Sequence, residues 1–389
     1  MPVSLAAASN RSMVPASINR LPPETLARIF RFSKTYCVCD NGFQINGLTG
    51  VCVYWRQIAL EIANLWTHVD VSLQTPHRLI ELLLDRSKTL PIHVHFFSLE
   101  PQEETIDEVN NAQTEYPIGD TIVVLEPQLR RVCTLSITSS TYRWHSVFAV
   151  LNAWSDHDNG GLLKSLEVDR SRAFGTYVLG ISKRNRNIEK MLLGTGTLYL
   201  RSTVFQWDSD IYSGLVDLQL DFDNDVFIPL SRLANILAVC PALSILKLTG
   251  LRVRGVANWV RPSIVMEHLE CINLTDMKPD DASSVLSLIT LPGPRAELGV
   301  SISRASKLDD KLADFFARSK ITTLFHASYT CEFECDSCLN YQDCEAVAFC
   351  ASKFFPQYLP HIHTLILHDS DLSSSRVDQS SISAPSLQS

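Results

Sequence analysis

Along residues 19–71 the large apolar side chains fall three and four positions apart. Leu26, Ile29 and Phe30 share one face of a helix that begins at Leu21-Pro22-Pro23-Glu24, while Arg28 and Arg31 point elsewhere. Proline is tolerated in that first turn because its missing N–H has no helical acceptor there. A second stripe, Val51, Trp55, Ile58, Ile62 and Leu65, advances in steps of four, three, four and three, the spacing of an amphipathic helix. The block closes on Leu65-Trp66-Thr67-His68-Val69-Asp70-Val71, a short extended segment. Together the two helices carry more large apolar side chains than a module of this size needs for its own core, which predicts a partner that covers the remainder.

Beyond this block the pattern predicts a helix from Thr75-Pro76, with Leu79, Leu82 and Leu83 on its buried face and a break between Ser87 and Leu90. Ile92, Val94 and Phe96 alternate with His93 and His95, as expected of a strand with one buried face. Glu103-Glu104 and Asp107-Glu108 mark an acidic stretch that starts a helix or forms a surface loop.

From Cys133 the period becomes two and recurs. Short Leu-x-Leu segments stand at residues 133–137, 163–168, 197–200, 215–220, 243–248, 269–274, 298–302, 321–324 and 362–367. Counted from Leu135 through Leu166, Leu198, Leu218, Leu246, Ile272 and Val300, the steps are 31, 32, 20, 28, 26 and 28 residues. Helical patterns lie between some of them: Leu230, Leu233, Ala234 and Leu237 before Cys240-Pro241, and Val285, Leu286 and Ile289 before Leu291-Pro292. Helix, Pro stop, strand and loop in quasi-regular succession predict an α/β chain whose strands form a parallel sheet. Two architectures share that pattern. One is an irregular leucine-rich-repeat solenoid, in which each repeat buries its apolar side by stacking on its neighbours. The other is an ordinary α/β domain built from βαβ units.

The N-terminal residues resemble a family. Leu-Pro-Pro-Glu with Leu26 and Ile29-Phe30, then Val51-Cys52, Trp55-Arg56, Ile58-Ala59 and Leu65-Trp66, are similar to the F-box motif, above all that of the large fungal set of F-box proteins. The likeness covers about an eighth of the chain. One interval departs from the family pattern. Where the family has a Leu-rich middle helix, residues 31–50 read Tyr36-Cys37-Val38-Cys39-Asp40-Asn41-Gly42, with further glycines at 47 and 50, a composition that shortens or breaks a helix. The segment around Cys240-Pro241 and Leu243-Ser244-Ile245-Leu246-Lys247-Leu248 resembles the irregular leucine-rich repeats that follow fungal F-boxes. The resemblance implies the substrate receptor of a Skp-cullin-F-box ubiquitin ligase. Leu21, Pro22, Pro23, Leu26, Ile29, Phe30, Val51, Cys52, Trp55 and Ile58 would dock a Skp-type adaptor and, through it, a cullin scaffold. The solenoid would hold a client protein. Such a chain supplies proximity rather than acid–base chemistry and is not expected to be an enzyme or to need a cofactor. The implied divisions are a flexible leader at 1–17, the helical module at 18–71, the solenoid at 72–369 and a disordered Ser-rich tail at 370–389.

Composition narrows the partners. A net charge of −8 over 389 residues argues against nucleic acid as the main ligand, and Lys183-Arg184-Asn185-Arg186 reads as a solvated run. No stretch has the ~20 consecutive apolar residues of a membrane span. With no secretion signal at the amino end and eleven cysteines, an odd number mostly scattered, a cytoplasmic or nuclear location with free thiols is expected. Among candidate chemistry, Cys335 and Cys338 have the spacing for one tetrahedral zinc. Cys331, Cys344 and Cys350 lie nearby, with His326, His361 and His363. A zinc-containing protein built on Cys331, Cys335, Cys338 and Cys344 is therefore the alternative to the receptor, and a solenoid binder with a degenerate F-box is a third reading. Gly194-Thr195-Gly196 reads as a turn, and Asp221, Asp223 and Asp225 as a solvated acidic turn lacking the glycine and distal Glu of a calcium loop.

Overall fold

A computed structural model describes residues 17–33, 45–97, 118–139, 144–157, 163–170, 177–179, 186–222, 226–255, 263–292, 296–300, 315, 319, 321–327 and 364–368. The chain divides into two compact units, Met1–Leu135 and Ser136–Ser389.

The first unit opens with three helices, α1 (Pro23–Ser33), α2 (Ile45–Val51) and α3 (Val53–Glu61). Leu26 and Phe30 of α1, Leu48 of α2, and Ile58 and Ala59 of α3 form one buried cluster with Ile62, Leu65 and Trp66. α2 is a short helix of 7 residues that runs across Gly47 and Gly50, and it corrects the expected second stripe. Val51 ends α2 instead of beginning α3, because Cys52 between them is fully extended and its thiol accepts the N–H of Trp55 as an N-cap. At the other end Ile62 leaves helical geometry, so Leu65 lies in a 3-10 turn, Ala63–Trp66. The Trp66 indole donates to the Ala59 carbonyl at 2.9 Å and ties that turn back onto α3.

Strand β1 (His68–Val71) then pairs in parallel with β2 (Ile92–Phe96), and α4 (His77–Arg86) connects them. The expected boundary at residue 71 thus falls within the first unit. The buried face of α4 is Ile80 and Leu84, four apart, with Leu83 partly covered; Leu79 and Leu82 are exposed, contrary to expectation. The helix stops at Ser87, and Lys88 turns the chain with φ 54°. α5 (Ile118–Leu125) leads to β3 (Val132–Thr138), which crosses the division between units.

The second unit contains α6 (Trp144–His157) and eight parallel strands: β4 (Ser165–Asp169), β6 (Thr197–Arg201), β8 (Asp217–Asp221), β10 (Ile245–Thr249), β13 (Cys271–Thr275), β15 (Ala296–Val300), β16 (Ile321–Ala327) and β17 (Thr364–His368). Their order across the sheet is their order along the chain. Between them lie α7 (Arg186–Leu192), α8 (Leu230–Ala238) and α9 (Pro279–Leu286), and six short strands that pair two by two. Those pairs are β5 (Tyr177–Leu179) with β7 (Thr203–Phe205), β9 (Phe227–Pro229) with β11 (Arg252–Arg254), and β12 (Ile264–Val265) with β14 (Ile289–Thr290). Each Leu-x-Leu segment read from the sequence overlaps a strand among the described residues. On α8, Leu230, Leu233, Ala234 and Leu237 are buried as expected. α9 ends at Leu286, so Ile289 sits in β14 rather than on the helix.

The period of two now has a physical meaning. In β4, β6, β8, β10 and β13 the second and fourth residues are buried and the others half-buried. Leu166, Leu198, Leu218, Leu246 and Ile272 stand directly opposite one another across the sheet, as do Val168, Leu200, Leu220, Leu248 and Leu274. Each such side chain contributes about 1.5–3 kcal/mol by leaving water. The strand ends repeat as well. The carbonyls of Lys164, Gly196, Val216 and Ser244 each accept two successive N–H groups from the start of the following strand. After the strands, Arg170, Ser202, Phe222 and Gly250 each donate an N–H to the last residue of the next strand. One hydrogen-bonding scheme therefore recurs although the intervening chain varies in length.

Candidate functional site

The ten residues that the F-box likeness selects all lie in the helical module, but they separate into buried, half-buried and exposed groups. Leu26, Phe30 and Ile58 are buried in the module's own core, where they hold the three helices together. A side chain closed in on all sides has no area to offer a partner, so these three serve the module's own packing. Trp55 is half-buried against Phe30, with ring centroids 5.0 Å apart. Leu21 and Tyr54 flank the same cluster, and the Tyr54 hydroxyl donates to the Leu21 carbonyl at 3.3 Å. Cys52 spends its sulfur on the α3 cap. Pro22, Pro23, Ile29 and Val51 remain on the surface.

Sequence reading missed the exposed residues beside them. Phe32 is 69% and Val53 64% accessible, against 56% for Val51 and 40% for Ile29. Ile29 and Phe32 are three apart on α1, and Val51 and Val53 flank the α2–α3 junction. A large apolar side chain costs free energy wherever it stays in water, and here several do so within a module whose core is already complete. The helical period alone gave Ile29; Phe32 escaped because it lies off the Leu26–Phe30 stripe that defined the face.

In the second unit the half-buried positions of the central strands carry the polar chemistry. Tyr199, Arg201, Asp217, Gln219, Asp221 and Lys247 occupy them. Arg201 pairs with Asp221 at 3.2 Å, and the Gln219 amide donates to both oxygens of Asp217 at 3.1 and 3.0 Å. Burial, then the nearby carboxylates of Asp169 and Asp221, push the Tyr199 phenol up to about 12, against a smaller opposing effect of Arg201. Burial also raises the Asp217 carboxyl above its usual range.

The sequence reading made nothing of a third cluster, on the first unit's strand pair. His68 and Asp70 of β1 and His95 of β2 bring two imidazoles and a carboxylate together. The available signal was His68-Val69-Asp70 followed by His93-Val94-His95, two polar-apolar-polar runs on consecutive strands; only the register shows that they meet. His95, expected on a solvent face, is buried.

Cys331, Cys335, Cys338, Cys344 and Cys350, with His361 and His363, lie outside the described residues, as do Cys37, Cys39, Lys183, Arg184, Asn185, Asp223 and Asp225. So do the proposed leader up to residue 16 and the tail from 370. Among the described residues, Cys52, Cys133, Cys240 and Cys271 are not in disulfides. Gly194 forms the expected turn with φ 94°. No helix of the described residues is long and apolar enough to cross a membrane. No protein-family model matches this chain, and no curated protein matches it.

Proposed function

We propose that this chain is an interaction subunit: its N-terminal helices form an F-box-like module that docks a Skp-type adaptor, and its second unit is an irregular leucine-rich-repeat solenoid that holds a client protein. Ubiquitin transfer would then be catalysed elsewhere in a cullin-based complex, and this chain would contribute proximity and orientation. The observation that carries the reading is the exposure of Ile29, Phe32, Val51 and Val53 on helices whose core, from Leu26 to Trp66, is complete without them. Helix-on-helix docking through a few large apolar anchors is how such a surface is normally covered.

The solenoid half of the proposal rests on strand order. A doubly wound α/β sheet reverses direction at a switch point, whereas here eight strands follow one another in chain order and repeat one hydrogen-bonding scheme at their ends. Stacked repeats produce that arrangement because each contacts only its neighbours. In this reading Tyr199, Arg201, Gln219, Asp221 and Lys247 face the client.

The test is co-purification of the folded chain with a Skp-type adaptor, comparing wild type with an Ile29→Ser, Phe32→Ser double variant. Both positions are exposed, so the thermal midpoint is expected to stay within a few degrees while capture is lost. Buried Leu26 or Phe30 would be the wrong choice, since their loss unfolds the module. Folded wild type that leaves the adaptor in solution, or a double variant that binds as well as wild type, overturns the proposal.

A further inference from the structure

We propose that His68, Asp70 and His95 form a binding site for a divalent transition-metal cation of the zinc class. The strand pairing builds the site. His68 and Asp70 are two apart on β1 and so point to the same face, while Val69 and Val71 are buried on the other. The parallel register sets Asp70 directly opposite His95. Three ligating side chains thus converge from two hydrogen-bonded strands, on backbone that is already fixed.

The distances suit a small cation. His68 Nε2 lies 2.9 Å and His95 Nδ1 3.0 Å from the same Asp70 oxygen, Oδ1. All three ligand atoms fall within 4.8 Å of one another. Tetrahedral zinc with bonds of about 2.0–2.2 Å separates its ligands by roughly 3.3–3.5 Å, so the carboxylate–imidazole spacings need to open by only a few tenths of an ångström. Imidazole nitrogen with carboxylate oxygen is a donor set for zinc and its neighbours in the first transition row, and a poor one for calcium or magnesium.

The ligands are also held in orientation. His95 is stacked on Phe97 with centroids 5.4 Å apart, and His68 meets His93 edge-on at 4.5 Å. His95 is nearly closed off at 3% side-chain exposure, whereas His68 and Asp70 retain 15% and 24%. The site is therefore open on one side, where a water molecule completes four-coordination. On binding, each imidazole gives up the proton on its ligating nitrogen, either to its other ring nitrogen or to solvent, and the cation takes the place of both hydrogen bonds.

The experiment is titration of the chelator-stripped full chain with Zn²⁺ by calorimetry and with Co²⁺ by visible absorption. One ion per chain with micromolar or tighter affinity is expected. The Co²⁺ complex should show the intense d–d bands of a low-coordinate site without a thiolate-to-cobalt charge-transfer band, which distinguishes it from the cysteines at 331–350. His68→Gln and Asp70→Asn, both at partly accessible positions, should each weaken binding by at least about tenfold, no less than an outer-shell loss at its mildest. Cys335→Ser should leave it unchanged. Absence of saturable binding to folded wild type, a thiolate band, or full affinity in His68→Gln and Asp70→Asn would each overturn the proposal. The result is independent of adaptor binding, which the Ile29→Ser, Phe32→Ser variant reads separately.

Discussion

Tyr199 is the side chain whose ionisation the second unit perturbs in a way that solution measurements can follow. It stands on β6 opposite Glu167 of β4 and Gln219 of β8, and the acidic neighbours Asp169 and Asp221 flank Arg201 one rung further along. Burial and those carboxylates disfavour the phenolate, so the phenol ionises at about 12 in the folded chain against about 10 when unfolded. The folded state therefore retains a proton that the unfolded state loses between these values. Stability from this group is complete below pH ~10 and is lost as pH rises through about 12. Urea unfolding across that window is expected to show a shallower alkaline decline for Tyr199→Phe than for wild type, and an ultraviolet titration of the folded chain to show one fewer late-ionising phenol. Superimposable declines would mean that neither burial nor the carboxylates hold the phenol above its unfolded value.

At the level of the elements, the turn after each strand carries as much information as the strand. Ser202, Gly250 and Asp276 follow β6, β10 and β13, and all three adopt positive φ, at 49°, 63° and 51°. A Cβ in that region costs about 1–2 kcal/mol in a regular L-residue, somewhat less for Asp, and glycine recovers part of this while giving back some entropy to the unfolded chain. Exposed Asp276→Gly is accordingly expected to raise the free energy of unfolding in urea by on the order of 0.5 kcal/mol, and Gly250→Ala to lower it by about 1–2 kcal/mol. A lower midpoint for Asp276→Gly would show that the turn depends on the carboxylate rather than on backbone freedom. The same elements show why sequence reading succeeded unevenly. The Leu-x-Leu segments were legible because a strand buried on one face has no way to hide a period of two. The break at Cys52 was not legible, since an extended residue between two helical patterns leaves the spacing of Val51 and Trp55 intact. The α4 face was misplaced because Leu79 and Leu82 are as apolar as Ile80 and Leu84, and only packing chooses between adjacent stripes. The His68–Asp70–His95 cluster needed the register of two strands, which depends on the whole connection through α4 and not on either strand's residues. Of the apolar anchors, the sequence marked the module but could not say that Leu26, Phe30 and Ile58 belong to its interior and Phe32 and Val53 to its surface.

The second unit as a whole raises the question of how far a disturbance travels through a sheet whose strands are ordered as the chain is. Neighbouring strands lie about 4.8 Å apart. Leu218 and Leu246 are therefore on adjacent rungs, while Leu198 and Ile272 are three rungs, roughly 14 Å, apart. If each rung is stabilised by its immediate neighbours, as in stacked repeats, truncations on adjacent rungs should couple and those three rungs apart should not. Leu→Val or Ile→Val at each position removes one methylene, about 1 kcal/mol with the residual cavity included, small enough to leave the double variants folded. Double-mutant cycles by urea unfolding are expected to give an interaction energy of at least ~0.5 kcal/mol for Leu218→Val with Leu246→Val, and additivity within about 0.3–0.5 kcal/mol for Leu198→Val with Ile272→Val. An ordinary α/β core, where helices on the sheet faces tie distant strands together, would couple both pairs. Strong interaction between Leu198 and Ile272 would therefore count against a repeat array, whatever the regularity of the strand ends.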